Sequence, residues 1–271
     1  MKIHNCNFSL ALALLLIVGT GCASTQEVTR AMHDWEEGHT VAYELVRDQN
    51  QILEIPGQGT QETPRSSTIG MSVVSTGPYQ FIISVTDAEA VRSPTPISGL
   101  VGLESAIVLD ANGRIVTASE LSDNSYVTTT GGSEQFQERL QGIFLVLPDE
   151  PLAAGVSWTR KTTIPFSQSG LDGTSETTDK YRCTGLTSYQ DVSAFEIELT
   201  SEVSLIGSGN QGGGEMDVTM SGTLKGTLYV DASSGLLLSA HQSGELSGMI
   251  DMAQMSLPMT IEQTMSISTV E

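Results

Sequence analysis

Between Glu215 and Asp231 the chain reads EMDVTMSGTLKGTLYVD. Met216, Val218, Met220, Leu224, Leu228 and Val230 fall on alternate positions. Gly222 and Gly226 complete that face, and Asp217, Thr219, Ser221, Thr223, Lys225, Thr227 and Tyr229 fill the other. Period 2 is the signature of a strand, and the run lasts about 15 residues where about 5–6 is usual. Such a strand buries one face, or lines a cavity with it, and wets the other. Glycine inside it permits the bends of a strongly curved sheet. The end of the chain repeats the pattern, with Met255, Leu257, Met259, Ile261, Met265 and Ile267 on one parity.

Most of the remaining sequence also reads as strand. Thr, Ser, Val and Ile are abundant, and Asn-Gly, Ser-Gly and Gly-Gly punctuate short runs. Strands are expected at 40–47, 68–76, 79–87, 104–110, 114–121, 156–165, 179–188, 192–206, 215–231, 235–245 and 247–268. The last block is expected to divide or bulge near Pro258, because proline cannot donate to a ladder. Gly207 to Gly214 (GSGNQGGG) reads as a flexible loop. One short helix is expected at 133–142 (SEQFQERLQG), with Phe136 and Leu140 on one face and Gly142 at its end. A second helical segment has Val28, Met32 and Trp35 at i, i+4 and i+7.

Two turns are nearly alike: LDANGRIVTAS at 109–119 and YVDASSGLLLSA at 229–240. In each, Asp caps the turn through its own side chain and Gly takes a positive φ, so two strands fold back on each other. The opening strands at Gly38–Tyr43 and Gly155–Trp158 are offset by a similar interval, about 120 residues, which is a reason to expect one repeat used twice. Aspartate–glycine turns are common in β proteins, which is the plainer explanation. The expected fold is all-β with one short helix, in two similar β-rich halves of about 120 residues. Their long curved antiparallel strands would be of the kind that form half-open barrels. The boundaries are 1–21 signal peptide, 22–37 lipid-anchored linker, 38–147 first half and 148–271 second half.

The N-terminus argues for export. Lys2 supplies a positive start, Phe8–Val18 an apolar stretch too short to span a bilayer, and Gly19-Thr20-Gly21-Cys22 a small-residue end. That end resembles the lipobox of bacterial lipoproteins, in which the cysteine is acylated and becomes the first residue. Gly19 stands where the family prefers Leu. An ordinary secretory signal cut near Gly21 or Ala23 is the alternative, with a soluble periplasmic or secreted product. Lipid at Cys22 removes an exposed thiol and supplies a membrane tether. Ala23, in place of Asp, implies the outer membrane. Cys183 then has no intrachain partner and reads as a small buried apolar residue.

The chain carries a net charge of −20. Nucleic acid and anionic lipid surfaces are therefore repelled, and no nucleic-acid partner is expected. No calcium-loop spacing, no H-E-x-x-H and no G-x-S-x-G occurs, and GSGNQGGGEM lacks the Lys-Ser/Thr of a phosphate loop. His33 and His39 stand six apart and His241 alone, none at a metal-ligand spacing. No catalytic residue, metal or cofactor is assigned. Methionine is pliable and adapts to varied apolar partners. Met216, Met220, Met255, Met259 and Met265 are the candidate lining of an apolar-ligand cavity, against the simpler reading of a methionine-filled core.

Three pieces carry a resemblance: GTGC, LPDEPLAAGVSW (147–158) and GTLYVDASSGLLLSA (226–240). Over roughly 38–268 the chain resembles uncharacterised bacterial lipoproteins classed as domains of unknown function, which implies export, a β-rich fold and no defined activity. A looser likeness is to periplasmic carriers of lipids and lipoproteins, which fold a half-open barrel over an apolar cavity. The expected function is a non-enzymatic, lipid-anchored envelope protein that binds or scaffolds an envelope partner. The alternative is a carrier of lipid or another apolar ligand.

Overall fold

The computed structural model describes residues 33, 35–92, 97–121, 142–168, 171–211, 214–252 and 255–270. The helices expected at 133–142 and around 28–35 fall almost wholly outside them. Among the described residues there are eleven strands: β1 (Thr40–Ile55), β2 (Gly59–Gly77), β3 (Gln80–Val91), β4 (Glu104–Leu109), β5 (Ile115–Glu120), β6 (Ser157–Gln168), β7 (Leu171–Tyr189), β8 (Val192–Gln211), β9 (Gly214–Asp231), β10 (Leu237–Met252) and β11 (Met255–Val270). Among the described residues there is no α-helix, only a 3-10 turn at Ser98–Leu100, and no helix long and apolar enough to cross a membrane.

All eleven strands form one antiparallel sheet in the order β5-β4-β3-β2-β1-β11-β10-β9-β8-β7-β6. Within β1–β5 and within β6–β11 consecutive strands pair, β5 and β6 do not, and the two ends of the chain meet where β1 pairs with β11. The sheet is open, with β5 and β6 at its edges, and does not close into a barrel. It is nevertheless strongly coiled. Its outermost strands would lie about 48 Å apart if it were flat. Yet Leu147 N–H donates to the Asn112 carbonyl in the β4–β5 turn at 2.7 Å, and Trp158 of β6 donates through Nε1 to the adjacent Val146 carbonyl at 2.8 Å. One short segment therefore spans the gap between the two edges at that end of the sheet.

Glycine makes the coil sterically accessible. A Cβ on Gly222 would run into the Glu245 carbonyl and Leu246 Cα of β10, and one on Gly248 into the Thr219 carbonyl and Met220 Cα of β9. Two backbones approach there where no other residue fits. The same logic corrects the loop expected at 207–214. Strand β8 runs on to Gln211, and a Cβ on Gly207 would lie 3.0 Å from Phe166 Cζ, so this glycine gives room to a ring inside a strand.

Pro258 also departs from expectation. It lies inside an unbroken β11, opposite Met249 of β10. The β1–β11 ladder ends one residue earlier, at Leu53–Met259, so no bond to β1 is asked of it. Pro64 likewise sits beyond the β2–β3 ladder, which begins at Ser66–Val91, and Pro165 lies on edge strand β6.

One main core fills the concave side at the coiled end. Tyr43, Phe81, Ile83, Ile107, Ile197 and Ile267 are fully buried there, from five different strands. Two non-strand pieces plug it. The run Ile143–Leu147 is buried at all five positions. Trp35 packs edge-on against Phe81, ring centroids 5.0 Å apart.

Candidate functional site

Register and burial together define what the concave face presents. From the plugged end outward, one row is Leu45–Ile267–Ala240–Leu228–Ile197–Cys183, across β1, β11, β10, β9, β8 and β7, and is apolar throughout. The next two rows are polar at both flanks. They carry Ser67, Arg65, Arg47 and Gln49 on β2 and β1, Gln263 on β11, Gln242 on β10, and Ser201, Asp179, Tyr181 and Arg160 on β8, β7 and β6. Beyond this belt the floor becomes apolar again.

The belt is bonded within itself. Gln242 donates to Ser201 Oγ at 2.6 Å, reaching from β10 to β8 over Gly226, which has no side chain to obstruct it. The Ser201 hydroxyl donates to Asp179 Oδ1, and the Tyr181 hydroxyl to Asp179 Oδ2 at 3.3 Å. Burial, then the neighbouring Asp179 charge, pushes the Tyr181 phenol above its usual range, with Arg160 opposing. On the facing flank Arg47 and Gln49 both donate to Gln263 Oε1, at 3.0 and 3.2 Å. These groups hold one another in place, as semi-buried polar side chains must to offset lost hydration.

The outer floor is a second apolar cluster. Val218, Met220, Leu224, Leu246 and Met259 are buried in it, ringed by half-buried Leu53, Leu171, Val203, Leu205, Met216, Ile250 and Ile261. Three of the five candidate methionines, Met216, Met220 and Met259, therefore come together. Met255 is on the same face at the β10–β11 turn and is 41% exposed. Met252 stands opposite both Met216 and Met255 in the register. Met265 is separate: it lies in the belt, between Arg47 and Gln242. Gln51 donates to Met259 Sδ at 3.1 Å, so the cluster touches the polar flank directly.

His33 is buried at the opposite end. Its Nε2–H donates to the Leu145 carbonyl at 2.8 Å, its ring meets Phe144 edge-on, and Nδ1 is buried without a partner. Burial holds its pKa below the usual 6.5, against the Leu145 bond and the Asp110 charge, which both raise it. His39 packs against Trp35 instead, ring centroids 5.7 Å apart. Among the described residues no three His, Cys, Asp or Glu converge as metal ligands. Cys183 is fully buried, and burial raises its thiol pKa, so it is apolar packing in character. Cys22 lies outside the described residues.

Two grooves are present besides this floor. One of about 680 Å³ crosses β2, β1, β11 and β10 and is lined mainly by outward residues such as Asp48, Asn50, Glu245 and Glu262, with Gln49, Arg65 and Gln263 of the belt between them. Another of about 810 Å³ runs along β6 from Ser157 to Thr163, facing Asn112, Arg114 and residues 146–150. Neither is lined by the methionines.

The polar belt escaped sequence reading because its members are Gln, Ser and Arg, which break the alternation that marks an inward face. The five-residue apolar run before Pro148 was the available signal for the plug.

Fold and site define an all-β protein built on a single open sheet with a lined concave face. Residues 124–237, less than half of the chain, are similar to a family of unknown function (DUF6263). That stretch contains the Leu-Pro…Gly-x-x-Trp segment and the Asp231 turn. No curated protein matches the chain.

Proposed function

We propose that this is a non-enzymatic, lipid-anchored protein of the cell envelope that binds a partner molecule on the concave face of its sheet. The signal-like N-terminus ending at Cys22 supports the location, and Ala23 supports the outer membrane. The observation that carries the binding role is the outer floor: an apolar cluster whose ring is half-buried instead of sealed, between polar flanks. A surface of that kind is stabilised when apolar groups cover it. A scaffolding role with an envelope protein uses the same face.

The second reading, a carrier of lipid or another apolar ligand, is favoured by the chemistry of that floor. Met216, Met220 and Met259 give it a pliable, polarizable lining that conforms to chains of different shape. Fractionation tests the anchor: Cys22→Ser moves the protein from membranes to the soluble envelope fraction, and an unchanged membrane association refutes lipidation. Native mass spectrometry of protein gently purified from envelopes tests the carrier reading. A co-purified acyl-chain mass supports it, and a ligand-free mass counts against it.

A further inference from the structure

The charges of this chain are sorted by face. On β1, β2 and β6–β11 the outward rows hold the carboxylates, from Glu44 and Asp48 on β1 to Glu245 on β10 and Glu262 on β11. The only inward carboxylate of these strands is Asp179, opposite Arg160. Two further inward charges, Arg47 and Arg65, are both positive. A molecule with net charge −20 has thus placed cations on the surface of its trough. Arg65 stands beside Gln49 and diagonal to Arg47, and its Nε is buried without a hydrogen-bond partner. A buried guanidinium N–H without an acceptor is costly, and an oxyanion is the acceptor it fits best.

From Gln263 in the belt, β11 runs six residues to Leu257, about 20 Å of floor at roughly 3.3 Å per residue. Along that distance the inward residues are Ile261, Met259 and Leu257, next to Leu53 of β1. Cationic and amide groups at one end and apolar residues along the rest match an amphiphile with a single anionic head. The acidic convex face disfavours the same molecule elsewhere on the protein.

Resting on the carrier reading, we infer that the concave face binds a long-chain fatty acid, its carboxylate at Arg65, Arg47, Gln49 and Gln263 and its chain along the methionine-lined floor. The carboxylate accepts the Arg65 N–H and the chain covers the half-buried ring.

The test is photocrosslinking of the full chain, in its native membrane vesicles, with palmitate carrying a diazirine in its chain. The expected result is label on β9–β11, with palmitate competing at least tenfold better than hexadecanol. Arg65→Gln removes that preference, Arg65→Lys restores part of it, and neither lowers the melting temperature, since the unpaired N–H is a cost to the folded state. Equal competition by hexadecanol overturns the head-group assignment and leaves the apolar carrier standing. Better competition by hexadecyl phosphate overturns the carboxylate in particular. Label absent, or spread over outward-facing residues, overturns both the inference and the carrier reading.

Discussion

At the scale of single residues, each of the two similar turns is held by its own aspartate. Asp110 Oδ1 accepts the backbone N–H of Asn112 and Arg114, and Asp231 Oδ1 those of Ser233 and Ser234, as two such sequences dictate. Gly113 and Gly235 have φ of +85° and +70°. For Asp231, burial works to raise the pKa, but hydrogen bonds from Ser233 and Ser234 outweigh it, so the carboxyl sits below its usual value. His33 gave no such signal, since its neighbours Leu145 and Asp110 are far away in sequence. Protonation would place an N–H at its buried Nδ1, where no acceptor lies. Its folded pKa is therefore depressed, and its contribution to stability is full above about pH 6.5 and declines as pH falls below that. Thermal unfolding followed between pH 7 and 5 should show the melting temperature falling on acidification. His33→Phe should flatten that fall, and an identical slope in the variant would contradict the assignment.

At the scale of elements, existence was legible and extent was not. Each of the eleven expected strands overlaps an observed one, because period-2 alternation has no helical reading, but the block expected at 247–268 straddles the turn between β10 and β11. Strand β1 was expected to end at 47 and reaches Ile55; β7 was expected from 179 and begins at Leu171. The missed parts are the polar belt and the flanks beyond it, where Gln49, Gln51, Thr177 and Asp179 replace apolar residues on the inward face and the pattern vanishes. Glycines were legible as bends but not as contacts. Gly248→Ala puts a methyl against the Thr219 carbonyl and should cost about 1–3 kcal/mol in denaturant unfolding. Ser247→Ala, its exposed outward neighbour, should fall within about 0.5 kcal/mol of the wild type.

At the scale of the whole molecule, the sequence pointed to two β-rich halves, and the structure joins β1–β5 and β6–β11 edge to edge through β1 and β11. No local pattern announces that pairing, since it links residues more than 200 positions apart. Its consequence is a continuous concave face, apolar at the plug, polar across the middle and apolar again towards the hairpin tips. The proposed binding surface is this outer floor. The most direct measurement is methionine oxidation by limited peroxide, mapped by peptide mass spectrometry with and without palmitate. Met216 and Met255 face the concave side, whereas Met249 lies on the opposite face of the same sheet region and serves as the internal control. The account predicts that palmitate slows oxidation of Met216 and Met255 several-fold and leaves Met249 unchanged. Unchanged rates at all three, or equal protection of Met249, would contradict it.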